Sequence, residues 1–157
     1  MNKKNTFVVI ILVLIIIVAA ILGIFLYNKE HRVNENKEEV KELVKETVSI
    51  DDFRKRLEEK EIEIESETEN TECDLIGATE GVTYKIDGKI IQVYKFDLDK
   101  SDELTVSNLK KAQEEGIVIM PSFNNYEFKV IYNKGLVLIN SEEHPREEEI
   151  VNIFKSL

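Results

Sequence analysis

The sequence has little of what enzyme active sites are built from, since it contains only one cysteine and two histidines. A single cysteine, Cys73, excludes an intramolecular disulfide and a zinc site made of several cysteine thiolates. Only His31 and His144 carry side chains that ordinarily change charge near neutral pH. The HExxH, GxSxG, GxGxxG and Walker-type patterns are absent as well. We therefore expect a protein that is not an enzyme and uses no metal or cofactor.

The two residue types that could carry chemistry lie in unpromising surroundings. Cys73 sits among acidic residues in ENTECDL, and we interpret it as a structural thiol. His144 comes directly before Pro145 at a predicted helix start, where a capping or exposed role is expected. Glu142 and Glu143 precede it, but adjacent residues rarely point towards one metal centre.

A long apolar run dominates the start of the chain. Residues 1–6 are basic, and residues 7–27, FVVIILVLIIIVAAILGIFLY, contain no charged side chain. A helix of that length spans about 31 Å, which matches the hydrocarbon core of a bilayer at roughly 30 Å. A cleaved signal peptide has a shorter apolar region of about 7–15 residues. The pattern predicts an uncleaved, single-pass transmembrane signal anchor over 7–27.

Basic residues flank the predicted membrane span on both sides. Lys3 and Lys4 precede it, whereas Lys29 and Arg32 follow it closely. A strict count of basic residues favours a C-terminal domain inside the cell. A short basic segment before an apolar run is typical of an exported signal anchor, however, and long domains translocate largely regardless of charge. We expect the domain to be extracytoplasmic, at the cell membrane.

The segment after the membrane span has helical periodicity. Within 28–48, Val40 and Leu43 recur at helical spacing, which predicts a stalk helix or linker. Ala19 and Gly23 form one small-residue pair in the predicted membrane span, a spacing that permits close helix packing. A homodimer through the stalk or the membrane helix is therefore an open alternative to a monomeric spacer.

The remainder of the chain is strongly acidic. From residue 33 onward it has 17 basic and 30 acidic residues, a formal charge of −13. This charge weighs against nucleic acid and anionic lipid as binding partners. We expect a protein-interaction module of the cell envelope that contacts another envelope protein. An alternative is a sensor domain responsive to a cation or small ligand, because segment 58–72 carries eight glutamates and one lysine.

Residues 49–157 have the pattern of a small α+β domain. Capping residues and apolar spacing predict a helix over 50–60, a second that starts at Asp99 or Ser101, and a third with Pro145 at its first position. Strict alternation over 61–65 predicts a strand, followed by an acidic loop over 66–76. With two later hairpins the predicted order is α-β-β-β-α-β-β-β-α, and the sheet is mainly antiparallel.

The first hairpin lies in residues 77–97, GATEGVTYKIDGKIIQVYKFD. Asp87-Gly88 predicts a two-residue type I′ turn, which requires positive φ at both positions. One face of this hairpin is expected in the core: Val82, Tyr84, Ile86, Ile91 and Val93. The other face carries Ile90, Tyr94 and Phe96, which we assign as a candidate partner-contact face. Cover by a helix is the alternative for that face.

The second hairpin is expected to turn through a three-residue loop, Asn133-Lys134-Gly135. That loop length places Phe128, Val130, Tyr132, Leu136 and Leu138 on one face, and Ile131, Val137 and Ile139 on the other. Strands that are apolar on both faces belong in the centre of a sheet. We therefore expect this hairpin to be central.

The pattern from Gly77 to Asp97, followed by a helix and an apolar hairpin, resembles uncharacterised small membrane-anchored proteins of low-GC Gram-positive bacteria. The resemblance covers residues 77–157. It implies a membrane-anchored bacterial protein, and it assigns neither an activity nor functional residues to this chain.

Overall fold

The computed structural model describes residues 18, 20–29, 47–97, 99, 102–142 and 144–157. The chain divides into two compact units, 1–35 and 36–157. In the first unit, residues 20–29 form helix α1, and their side chains are exposed. None of the helices in the described part of the chain is long and apolar enough to cross a membrane. Ala19, and most of the predicted membrane span and stalk helix, lie outside the described residues.

The second unit follows the predicted order of helices and strands. Its described helices are α2 (Ile50–Glu59), α3 (Glu103–Glu114) and α4 (Glu147–Lys155). Its described strands are β1 (Ser66–Glu69), β2 (Glu80–Ile86), β3 (Lys89–Lys95), β4 (Ile117–Met120), β5 (Tyr126–Asn133) and β6 (Leu136–Ile139). Two short 3-10 helices cover Cys73–Ile76 and Pro121–Phe123.

The strands form one six-stranded antiparallel sheet in the order β1-β2-β3-β6-β5-β4. This arrangement confirms the α+β class. Strand β6 is buried along its whole length, because it lies between β3 and β5 and has apolar side chains on both faces. The expectation that the second hairpin occupies the sheet centre is therefore confirmed for β6, whereas β5 lies next to the edge strand β4.

Helices α2 and α4 cover the first face of the sheet with apolar side chains. Phe53 of α2 and Phe154 of α4 are fully buried, and their rings meet edge to face with centroids 5.4 Å apart. Phe53 also contacts the ring of Tyr84 on β2 at 6.2 Å. Burial of each such ring contributes about 1.5–3 kcal/mol to stability. The packing confirms that Tyr84, Ile86, Ile91 and Val93 belong to the core.

Helix α3 covers the second face and is fixed by two buried polar side chains. The Asn108 amide nitrogen donates to the carbonyl groups of Ile76 at 2.9 Å and Ile119 at 2.7 Å, and its oxygen accepts from the Ile119 N–H at 2.8 Å. The Thr105 hydroxyl donates to the Gly77 carbonyl at 2.8 Å. Gly77 has φ +78°, and a Cβ there would lie 2.9 Å from the Thr105 nitrogen. This close approach is why Gly77 is required where α3 docks.

The first predicted strand is misplaced, because the structure has β1 over Ser66–Glu69 rather than over 61–65. After α2, Glu61 has φ 56° and the Ile62 N–H donates to the Leu57 carbonyl at 2.9 Å. These contacts form a Schellman-type helix end, so residues 61 and 62 still belong to the helix terminus. Ile62 is nevertheless buried, as the alternation predicted. Part of the predicted acidic loop is thus an edge strand.

The prediction for the first hairpin turn is confirmed, and the prediction for the second is wrong. Asp87 and Gly88 have φ 48° and 74°, and Tyr84 pairs with Ile91, so the first turn and its register are confirmed. The second turn has two residues, not three, because Asn133 pairs directly with Leu136. A one-residue error reverses the faces of one strand relative to its partner. Phe128, Val130 and Tyr132 therefore share the α3 face with Val137 and Ile139, whereas Leu136 and Leu138 face α2 and α4 with Ile131.

The start of two helices differs from the prediction. Helix α3 is capped by Asp102, whose carboxylate accepts from the Thr105 N–H at 3.0 Å, and not by Asp99. The other predicted cap, Ser101, lies outside the described residues. Helix α4 begins at Glu147, two residues after Pro145, because the preceding turn is held by side-chain contacts of His144. Helix α2, by contrast, starts where it was predicted, with a capping box formed by Ser49 and Asp52.

Candidate functional site

A gap opens in the sheet beyond the end of strand β6. Strand β6 ends at Ile139, which pairs with Gln92 on β3 and Val130 on β5. Residues 89–91 of β3 and 126–129 of β5 continue beyond this point. A depression of about 520 Å³ lies between them, and we call it the notch. Its lining includes Lys89, Ile90, Tyr126, Phe128, Lys129 and Asn140.

The chain leaves the plane of the sheet at Asn140, which has φ 63°. The positive φ breaks the extended backbone, and the chain continues towards α4 on the first face. The side chain of Asn140 stays near the sheet and donates to Gln92 Oε1 at 3.3 Å. The early departure of the chain from between β3 and β5 creates the notch.

Exposed apolar side chains line the notch. Ile90 is 53% exposed and Tyr126 is 56% exposed. The Tyr126 ring meets the half-buried Phe128 ring edge to face, with centroids 4.7 Å apart. Exposed apolar groups that cluster around a concavity are typical of sites that contact another molecule.

The candidate partner-contact face of Ile90, Tyr94 and Phe96 is not one surface. Tyr94 and Phe96 are 8% and 2% exposed, because α3 and its neighbours cover them. The Tyr94 ring lies over Gly81, where a Cβ would come within 2.7 Å of it, and its hydroxyl accepts from the Asn70 amide. Only Ile90 remains available for contact. The prediction of a shared contact face is therefore wrong for Tyr94 and Phe96.

His144 lines the notch but is fully engaged in structure. It is 5% exposed, its Nδ1 accepts from the Arg146 N–H at 3.0 Å, and its Nε2 lies 3.0 Å from the Ile86 carbonyl oxygen. Since Nδ1 accepts, Nε2 carries the proton and donates to that carbonyl. Both ring nitrogens are thus occupied, and the imidazole links the start of α4 to β2. The expected capping or exposed role is wrong, because the N-cap of α4 is Arg146 and His144 is buried in the turn before the helix. The geometry leaves no nitrogen of His144 for proton transfer.

The described charged groups around the notch form no cluster that could hold a metal ion. Lys129 and Glu142 make an exposed ion pair at 3.3 Å. Across the part of the chain that the structure describes, no group of three or more His, Cys, Asp or Glu side chains could hold a metal ion.

The acidic segment 58–72 includes the edge strand β1, and Glu65 within it makes local contacts. Glu65 accepts from the Gly88 N–H at 2.6 Å and pairs with Lys85 at 2.7 Å. The Lys85 ammonium and the Gly88 N–H hold the pKa of Glu65 below its ordinary value. Glu67 and Glu69 are exposed on β1, where charges discourage pairing with another strand.

Cys73 begins a 3-10 helix and is partly buried against the apolar cluster beneath α3. This contact is that of a small apolar side chain.

The sequence pattern gave no signal for the notch itself, because the gap depends on where β6 ends relative to two strands distant in sequence. Asn140, the positive-φ residue that follows the end of β6, is a weak local signal for the end of this strand, since asparagine tolerates that conformation.

Comparison of the chain with protein-family models, with curated proteins and with solved structures finds no match.

Proposed function

We propose that this chain is a single-pass membrane protein of the bacterial cell envelope, whose extracytoplasmic domain is a non-catalytic protein-interaction module. The observation that carries the interaction role is the notch, where Ile90 and Tyr126 remain exposed in a concavity whose one histidine is occupied. The membrane anchor rests on the uncharged run over 7–27 and the basic residues that precede it.

The acidic character of the domain supports a protein partner over other classes. A formal charge of −13 from residue 33 onward repels nucleic acid and anionic lipid, and it attracts proteins with basic surfaces. Ile90 and Tyr126 offer the aliphatic and aromatic contacts that are typical of interface centres. Partial exposure of such side chains is unfavourable in water, so a partner that covers them gains binding free energy.

Site-specific photocrosslinking in intact cells tests the interaction role. A photoreactive amino acid is placed at position 90 or 126, and at position 123 as a control, where Phe123 is 72% exposed but outside the notch. We expect a discrete crosslinked protein from positions 90 and 126 and none from 123. Crosslinks of equal intensity from all three positions, or from none, would contradict the proposal.

The proposed orientation is tested by thiol labelling. Because Cys73 is partly buried, it is changed to serine, and the exposed Ser107 on α3 is changed to cysteine. A membrane-impermeant maleimide should label Ser107→Cys in intact cells. Labelling that requires lysis of the cells would place the domain in the cytoplasm.

A further inference from the structure

We propose that the notch binds an extended peptide segment of a basic partner protein, which inserts between β3 and β5 as a guest strand. This inference rests on the proposed interaction function and specifies its ligand. The guest would occupy the position that β6 leaves empty after Ile139. In strand insertion, backbone hydrogen bonds supply affinity and alternate side chains supply specificity.

The backbone of the two flanking strands is oriented for such a guest. The β2–β3 hairpin has a two-residue turn, so Lys89 and Ile91 bond to β2 and Ile90 has its N–H and C=O directed towards the notch. On β5, the Val130 N–H donates to the Gly116 carbonyl beside β4. By alternation, Glu127 and Lys129 direct their backbone groups towards the notch.

The spacing of the two strands also fits one strand. Up to Ile139, where β3 and β5 both pair with β6, they lie two strand spacings apart, about 9–10 Å, and the notch continues from there. Adjacent residues of the guest would bond alternately to Lys129 on β5 and Ile90 on β3. This two-sided pairing distinguishes insertion from addition of a strand at a sheet edge, which bonds on one side alone.

Side chains around the notch define the composition of the guest. Ile90, Tyr126 and Phe128 favour uncharged apolar or β-branched residues at the positions that face them. The Lys129–Glu142 ion pair is already neutral, and Lys89 and Glu127 offset each other, so the notch itself has no net charge to satisfy. The acidic domain around it attracts lysine or arginine on either side of the inserted residues.

The two edges of the sheet are poorer sites for strand addition. On β1, exposed Glu67 and Glu69 oppose pairing with another strand. On β4, the outward backbone groups of Ile119 are both bonded to the Asn108 side chain, which occupies the position of a neighbouring strand. The notch is thus the place where the described sheet can accept a strand with pairing on both sides.

Selection from a display library of random octapeptides, panned against the full-length chain in detergent micelles, tests the inference. We expect enriched peptides with alternating apolar residues and basic flanks. Ile90→Lys and Tyr126→Lys should each weaken binding of the synthesised peptide at least tenfold. Phe123→Lys, which makes the same charge change outside the notch, should leave its affinity unchanged.

Single N-methylation of the peptide backbone decides between insertion and edge pairing. An inserted strand loses binding at least tenfold when either of two adjacent central amides is methylated, because each bonds to a different flanking strand. Binding that tolerates methylation at every second amide of the peptide would overturn the inference. A library that yields no enriched peptide, or a peptide that binds Ile90→Lys as well as the unaltered protein, would also overturn it. If crosslinks still form from positions 90 and 126 in cells, the interaction function survives while strand insertion fails.

Discussion

The sheet face under α2 and α4 is closed by aromatic and aliphatic side chains, whereas the face under α3 is fixed by the buried polar groups of Thr105 and Asn108. On the first face, one buried polar atom, the Tyr84 hydroxyl, has no hydrogen-bond partner among the described residues. On the second face, the Asn108 amide makes three hydrogen bonds. The same sheet is therefore held by packing on one side and largely by directional bonds on the other.

The difference matters for function because the second face is incompletely covered. Two α-helices pack on the first face, whereas among the described residues α3 and the short 3-10 helix Cys73–Ile76 pack on the second. Tyr94 and Phe96 lie beneath α3, while Ile90 at the other end of β3 is exposed beside the notch. The cover of the second face thus leaves one end of it accessible to a partner.

Removal of an aromatic ring from the first face should give the largest effect. Phe53→Ala empties the space between Phe154 and Tyr84, so we expect a loss of about 4 kcal/mol in the free energy of unfolding. Urea denaturation followed by circular dichroism measures it. Lys55→Ala on the exposed side of α2 is the control, and a loss below 1 kcal/mol for Phe53→Ala would contradict the packing described.

Asn108→Leu tests the polar attachment of the second face. The substitution keeps a similar volume but leaves the carbonyl groups of Ile76 and Ile119 and the Ile119 N–H without these partners. We expect a loss of about 3 kcal/mol, since each unsatisfied buried group costs about 1–3 kcal/mol and two of the bonds are only partly buried. The neighbouring exposed Ser107→Ala serves as the control. Stability equal to the control would show that the amide bonds contribute nothing.

Tyr84→Phe should change the free energy of unfolding in the opposite direction, towards greater stability. The hydroxyl is buried without a partner, and burial raises the pKa of Tyr84 well above its ordinary value. Loss of this group relieves its desolvation, so we expect an increase of up to about 1 kcal/mol in unfolding free energy. Tyr132→Phe on the other face provides a comparison in the same denaturation experiment. A clear loss of stability in Tyr84→Phe would reveal a hydrogen-bond partner for the hydroxyl.

Glu65→Gln should give the smallest effect, and one that depends on pH. The folded-state pKa of Glu65 is lowered by Lys85 and the Gly88 N–H, so the unfolded chain binds the proton first as the pH falls. The stabilisation is present above the unfolded pKa of about 4.3 and disappears as the pH drops through the lower folded pKa. The thermal midpoints of the unaltered protein and of Glu65→Gln should differ slightly at pH 7 and converge at acidic pH. A constant difference would show that charge is irrelevant there.

Local signals in the sequence specified much of the fold. Positive φ at Asp87 and Gly88 follows from their chemistry, and it fixes the register of the first hairpin. The second hairpin illustrates the limit of such signals, because Lys134 adopts φ 46° in a turn that its residue type does not announce. One residue of difference in loop length then assigned Leu136 and Leu138 to the wrong face.

The candidate site was less predictable for a physical reason. Ile90, Tyr94 and Phe96 alternate along one strand face, but burial depends on where α3 ends relative to β3, which no local pattern encodes. The role of Asn108 has no local signal, because a polar residue on a helix is ordinarily exposed and its partners lie 11 and 32 residues away. The absence of a catalytic motif was visible, whereas a gap in the sheet required the assembled strands.

Amide hydrogen exchange of the full chain, with and without a saturating selected peptide, tests the central claim most directly. The account predicts new protection at Ile90 on β3 and at Lys129 on β5, with no change at Glu67 on the β1 edge. Protection at Glu67 or at Ile117 on the β4 edge, with Ile90 and Lys129 unchanged, would place the ligand elsewhere and contradict insertion at the notch.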